Sequence, residues 1–215
     1  MELYIIRHGD PDYKNNTLTE KGWDEARQLA QRMAKTKPTK IYSSPRGRAQ
    51  DTAKPTCELL GMTYKVEEWT TESMDYMQYP SIVRGEAAKC SWETDFNKGV
   101  QNFADFASPD RALTIDELSL CSDAFLSRHG YFRKGLGYQV KKSSNDKIAV
   151  FCHGGFGAAW IAHLLSLPPA MGWMHFMLTT TSVTKFLFES NDQGYTFPNL
   201  VYLNDTRHIV NNECK

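Results

Sequence analysis

The sequence predicts an α/β fold: a three-layer α/β/α sandwich with a mostly parallel central sheet and a partly helical insertion over the functional site. Three observations predict it. Short apolar runs at Leu3–Ile6, 40–44 and 147–152 have the length and composition of buried strands. Each is followed by sequence of helical period, and strands alternating with helices give a sheet covered on both faces. The chain has 215 residues, enough for one large domain. We expect one domain over 1–215, with a cap-like insertion at about 70–146.

The first strand, Leu3–Ile6, leads into residues 10–17, DPDYKNNT, which are rich in turn formers. A helix follows in LTEKGWDEARQLAQRMAK. Thr19 is a good N-cap, and Glu20 sits where the helix dipole favours an acid. Trp23, Ala26, Leu29, Ala30 and Met33 recur at helical spacing and form its apolar stripe. KIYSS at 40–44 is the second strand. Pro45 opens a helix that runs to about Leu60, with Gly61 as its stop. Pro55 lies inside that helix and predicts a kink or break. MTYKVEEW at 62–69 reads as a third strand.

Residues 70–108 are polar but carry Tyr76, Tyr79, Trp92, Phe96, Phe103 and Phe106 without a clean period. They read as part of the insertion, with these aromatics as its own small core or as the lining of a substrate pocket. A helix is expected from Thr114 to Gly130. KIAVFC at 147–152 is a clear strand, followed by HGGFG and a helix that ends at Pro168-Pro169. TSVTKFLFES at 181–190 and TFPNLVYLND at 196–205, joined by NDQG, predict a hairpin at a sheet edge.

Lysine plus arginine and aspartate plus glutamate each number 25, so the formal net charge is zero. A general affinity for nucleic acid or anionic membranes is therefore not expected. Nor does any segment reach the ~18 apolar residues of a membrane span. The five cysteines (57, 90, 121, 152 and 214) are widely spaced with no C-x-x-C, which argues against a disulfide framework or zinc cluster. With no leader-like N-terminus, a cytoplasmic location is the default. The oligomeric state is not readable from the sequence.

Three strand ends share one layout. Ile5-Ile6 precedes Arg7-His8-Gly9, Ile41-Tyr42 precedes Ser43 to Arg48, and Phe151-Cys152 precedes His153-Gly154-Gly155. In parallel sheets the C-terminal strand ends line one crevice, where ligands bind. Neighbouring strands would bring two arginines and two histidines into one pocket. The helix after Gly154 would point its N–H groups there, which makes an anion site. A positive pocket on a neutral protein suits a small, highly charged anion, and phosphate matches the arginine fork. Arg128-His129-Gly130 repeats the tripeptide but follows helical sequence, so it reads as a helix C-terminus without function. Taken singly, Arg46 and Arg48 read equally as solvated helix charges and His153 as a core histidine; the shared strand-end context is what lifts them. His163 and His175 read as structural, and Cys152 as a buried small hydrophobe. Asp10 and Pro11 shape the loop beside His8. Thr181 and Ser182 either touch the pocket or simply favour the strand.

These motifs resemble the histidine phosphatase superfamily, the phosphoglycerate-mutase-like enzymes. Arg7-His8-Gly9 is similar to its signature tripeptide. Leu18-Thr19-x-x-Gly22-x-x-x-Ala26 is similar to its first helix, and Ser44-Pro45-x-x-Arg48-Ala49-x-x-Thr52-Ala53 to its second motif. Asp51 departs from the usual Gln or Arg. His153-Gly154 resembles the second histidine. The resemblance implies metal-independent hydrolysis of a phosphomonoester, with His8 as the nucleophile that forms a phosphohistidine. It implies a phosphate site of Arg7, His8, Arg48, His153 and Gly154, with no metal and no cofactor. The expected partner is a small phosphorylated substrate.

A proton donor to the leaving group is also implied, from Glu67, Glu68 or Glu72. Glu72 fits the register best, and Glu68 is second. A phosphomutase would use the same residues but needs more basic groups for a substrate carboxylate, and Arg84 is the only arginine between 49 and 110. A phosphatase is therefore favoured over a mutase. A non-catalytic phospholigand-binding domain is the third reading, disfavoured because all four pocket residues are present.

Overall fold

The computed structural model describes residues 1–72, 115–167 and 169–209. Among these residues six strands form the main sheet, in spatial order β11-β9-β1-β8-β4-β5. They are β1 (Glu2–Arg7), β4 (Lys40–Ser43), β5 (Lys65–Val66), β8 (Lys147–Cys152), β9 (Val183–Leu187) and β11 (Asn199–Asp205). Strands β1, β8, β4 and β5 are parallel, whereas β9 and β11 form the expected antiparallel edge.

The strands alternate between two apolar cores. Leu3, Ile5, Ile148, Val150 and Cys152 face one side; Tyr4, Ile6, Ala149 and Phe151 face the other. This period-2 division explains why the runs look continuously apolar: both faces are covered. Helices α1 (Glu20–Thr36) and α2 (Gly47–Leu60) cover the second face with Leu29, Met33, Ala53 and Cys57. Helix α3 (Ile115–Arg128) and helix α4 (Gly154–Leu164) cover the first with Phe125, Phe156 and Trp160. The sheet thus lies between two helical layers. Thr19 caps α1, its side chain accepting from the Gly22 N–H at 3.1 Å.

Several elements differ from the expectation. Helix α2 runs through Pro55 without a break between Gly47 and Leu60. Proline removes one backbone bond, but Ala53, Thr56 and Cys57 on both sides of it are buried, and that packing holds the helix together. The third strand shrinks to β5, and Glu68–Thr70 turn into a 3-10 helix. Trp69 packs there against Phe125, Phe156 and Trp160. A short helix not expected from the sequence, α5 (Pro169–His175), begins at a proline, a residue suited to the first helical position.

The aromatic stretch of the expected insertion lies outside the described residues. From Ile115 onward the chain is built into the main body. Leu118, Phe125, Leu126, Tyr131 and Tyr138 belong to the first-face core. Strands β6 (Tyr131–Lys134) and β7 (Gly137–Val140) form a hairpin, and β10 (Tyr195–Thr196) pairs with β7 to make a separate three-stranded sheet. The two-strand ribbon of β2 (Pro11–Asp12) and β3 (Thr17–Leu18) closes the loop after β1.

Candidate active site

The site forms where β1, β8 and β4 end side by side. Arg7 is level with Cys152, and Ser43 with Phe151. Pairing continues one residue further on each side of β8. The His8 N–H donates to the Cys152 carbonyl at 2.9 Å, and the Ser44 N–H to the Phe151 carbonyl at 2.9 Å. Helices α1 and α2 leave their strands toward one face and α4 toward the other, so the crevice opens at the β8 boundary.

His8 is buried, with its ring fixed at both nitrogens. Nδ1 lies 2.7 Å from the Gly9 carbonyl, which can only accept, so Nδ1 carries the proton. Nε2 is left with its lone pair and accepts from Arg48 Nε at 3.3 Å. Burial pushes the His8 pKa down to about 3, and the charges of Arg7 and Arg48 push the same way against the Gly9 bond. The ring is a neutral imidazole at pH 7, with its Nε2 lone pair turned to the Arg48 guanidinium.

His153 meets His8 edge-on, with ring centroids 5.2 Å apart. Its Nε2 lies 2.8 Å from Ser44 Oγ. Burial, then the neighbouring His8 and arginines, hold its pKa well below the ordinary value. Arg7 reaches past α4, and its Nη1 donates to the Leu178 carbonyl at 2.5 Å. Its Nε is buried without a partner among the described residues. A Cβ on Gly154 would stand 3.3 Å from Arg7 Nε, so glycine there gives the guanidinium its room. Arg48 Nη1 donates to Asn16 Oδ1 at 3.3 Å, and its guanidinium lies over the Tyr13 ring at 5.4 Å.

Glu72 enters the same pocket. Its Oε1 accepts from the Gly155 N–H at 2.8 Å and the Phe156 N–H at 3.3 Å, at the N-terminus of α4. The helix end expected to face phosphate thus holds this carboxylate. Oε2 lies 3.6 Å from His153 Nδ1. Burial raises the Glu72 pKa against the opposing effect of those two N–H groups and of Arg48 and Arg7. The other two candidate acids lie elsewhere. Glu68 is exposed on the 3-10 turn. Glu67 accepts from Arg128 at 2.7 Å and from Trp69 Nε1 at 2.9 Å.

Arg128-His129-Gly130 does end a helix, as expected. Gly130 has φ +94°, and His129 contacts Tyr42 and Lys40. Thr181 and Ser182 touch the site through backbone: the Thr181 N–H donates to the His8 carbonyl at 3.2 Å, and the Ser182 carbonyl accepts from Arg7 N–H at 3.2 Å. Arg46 is exposed at the rim, and its Nη2 donates to the Glu72 carbonyl at 3.4 Å.

Ser44 and Asn16 are site neighbours that sequence reading did not single out. Ser44 stood inside a quoted motif, which was the available signal; Asn16 had none beyond its place in the loop after His8. One nitrogen each of His8 and His153 and one Glu72 oxygen lie within 4.8 Å of one another, the one such group among the described residues. That donor set could hold a divalent ion in isolation. Two guanidinium groups on its border oppose a cation and favour an anion.

Two histidines, two arginines and a buried carboxylate thus meet at the strand ends of an α/β sandwich. The family model of the histidine phosphatase superfamily (branch 1) matches residues 3–201, and the chain belongs to that superfamily. A curated relative, "Putative phosphoserine phosphatase 2" of Hydrogenobacter thermophilus, is 35% identical over 86 residues, 36% of this chain. The match spans 42% of that relative's length. Among solved structures, a phosphoserine phosphatase mutant from Entamoeba histolytica in complex with phosphoserine superposes with a TM-score of 0.65 at 22% identity, over 97% of this chain and 99% of that one. A mycobacterial glucosyl-3-phosphoglycerate phosphatase with inorganic phosphate gives 0.66 at 19% identity, over 97% and 99%. These likenesses confirm the fold. Among the described residues no helix is long and apolar enough to cross a membrane.

Proposed function

We propose that the protein is a phosphoric monoester hydrolase that works through a phosphohistidine on His8. The observation that carries this is the fixed tautomer of His8: Nδ1–H is tied to the Gly9 carbonyl and Nε2 is unprotonated beside Arg48. The Nε2 lone pair attacks phosphorus and the P–O ester bond breaks. The leaving oxygen takes a proton from the Glu72 carboxyl, which burial keeps more protonated than an ordinary glutamate. Water then attacks phosphorus, the N–P bond returns its electrons to Nε2, and the water proton goes to Glu72. Arg7, Arg48 and His153 stabilise charge on the equatorial oxygens throughout.

The proposed substrate is a small phosphorylated molecule. The relatives named phosphoserine phosphatase and glucosyl-3-phosphoglycerate phosphatase support this class, and they favour hydrolysis over a mutase reaction. The superfamily and the intact set of Arg7, His8, Arg48 and His153 weigh against a non-catalytic binding role. We take the protein to be one domain in a reducing cytoplasm, consistent with the free thiols of Cys57, Cys121 and Cys152 among the described residues. The test compares phosphate release with isomerisation of 3-phosphoglycerate by the purified protein. Release from a panel of phosphorylated metabolites without isomerisation supports the reading; isomerisation alone overturns it.

A further inference from the structure

We propose that Ser44 is a positioning residue that fixes His153 in the tautomer protonated on Nδ1, and so makes it a hydrogen-bond donor to the phosphoryl group. The inference rests on the phosphoryl-transfer reading for its role, but its structural core is independent of that reading.

Ser44 is fully buried one residue beyond β4. The bond from its N–H to the Phe151 carbonyl fixes its backbone, and hence the direction of its hydroxyl. Oγ accepts from the Arg46 N–H at 3.3 Å and lies 2.8 Å from His153 Nε2. A hydroxyl has one proton to donate. Among the described residues, Nε2 is the one acceptor within reach of it. If His153 carried its proton on Nε2, that N–H would donate to Oγ, and the buried O–H would lose its acceptor. The consistent arrangement has Oγ accepting from Arg46 and donating to Nε2. The proton of the neutral ring then sits on Nδ1.

Among the described residues Nδ1 is buried with no hydrogen-bond partner, and it faces the pocket, 3.6 Å from Glu72 Oε2. As N–H it is a donor placed beside His8, where the oxygens of a transferring phosphoryl group carry charge. In the other tautomer it would point a lone pair at those oxygens. His8 and His153 therefore hold the same tautomer but turn opposite nitrogens to the substrate. His8 presents the bare Nε2, because Gly9 takes its proton; His153 presents Nδ1–H, because Ser44 occupies Nε2.

The experiment is long-range proton–nitrogen NMR on protein labelled with 15N-histidine at pH 7.5, with His153 assigned by its own substitution. We expect the Nδ1–H pattern for His153 in the wild type and a mixed or Nε2–H pattern in Ser44→Ala. Circular dichroism checks that the variant is folded. With p-nitrophenyl phosphate, S44A should lose about tenfold or more in kcat. An Nε2–H tautomer in the wild type, or an unchanged tautomer in folded S44A, overturns the proposal. So does a kcat within about twofold of wild type. Labelled phosphate trapped on His8 alongside the wrong tautomer would sink this inference alone. An Nδ1–H tautomer without any phosphohistidine would sink the catalytic reading instead.

Discussion

The carboxylate of Glu72 lies 3.6 Å from Nδ1 of His153 while its other oxygen is held by the N–H groups of Gly155 and Phe156. This fixes the acid against the start of α4, beside the His153 ring. A proton donor in that place matters most when the leaving group is a poor one. Glu72→Gln should lower kcat/KM for alkyl phosphates by about 100-fold or more, the usual scale of general-acid catalysis. For p-nitrophenyl phosphate the loss should be about tenfold or less, since that leaving group needs little protonation. Equal losses on both substrates would remove Glu72 from the role.

Activity should also fall on the alkaline side with the ionisation of Glu72. Only its protonated form can donate, and burial raises its pKa, so the donor persists above the usual carboxylate range and disappears as pH rises through the raised value. The pH profile of kcat for an alkyl phosphate should show this limb in the wild type and lose it in E72Q. A limb that survives in E72Q assigns the titration to another group.

Stability should follow the histidines. Folded-state pKa values are about 3 for His8, about 4 for His129 and about 4 for His208, and His153 is also depressed, each chiefly by burial. The unfolded chain binds these protons near pH 6.5, so below that value it holds more protons than the folded protein. Their contribution is complete above about pH 6.5 and is lost as pH falls toward 4. Glu72 acts with the opposite sign, as one group against four. The melting temperature should drop steadily from pH 7.5 to 5; a flat or rising curve contradicts this linkage.

Gly22 gives a stability prediction whose sign is unusual. Alanine for glycine in a helix normally stabilises by up to about 1 kcal/mol. Here a Cβ would stand 2.2 Å from the Asp10 carbonyl oxygen, in the loop just after His8-Gly9. Gly22→Ala should destabilise by about 1–3 kcal/mol, the scale of overpacking, and should lower kcat by shifting that loop. A denaturation midpoint at or above wild type would show that the loop yields freely.

The strand-end layout made most of the pocket legible in the sequence. Arg7, His8 and His153 each follow an apolar run that is buried on both faces, and parallel topology carries those ends to one edge; Arg48, on α2, was told from Arg46 only by the family resemblance. The same context separated Arg128-His129-Gly130, which follows a helical pattern and ends α3. Glu72 was placed only by the register that the family resemblance implies, because no periodic element leads up to it. Ser44 was hidden by its chemistry: a serine after a strand looks like a turn former until its partner, 109 positions away, is known. The β6–β7 hairpin did leave a signal, with Gly135 at φ +59° between two short runs, but its pairing with β10 is a long-range contact. Pro55 misled because the packing that holds α2 together comes from its neighbours in space.

The most direct measurement uses substrate carrying labelled phosphate, mixed with the enzyme and quenched in base within milliseconds. The account predicts a protein-bound label that is stable to base and labile to acid, maps to the peptide containing His8, and is absent in His8→Ala. Turnover without any trapped label, or a label that persists in folded H8A, would contradict it.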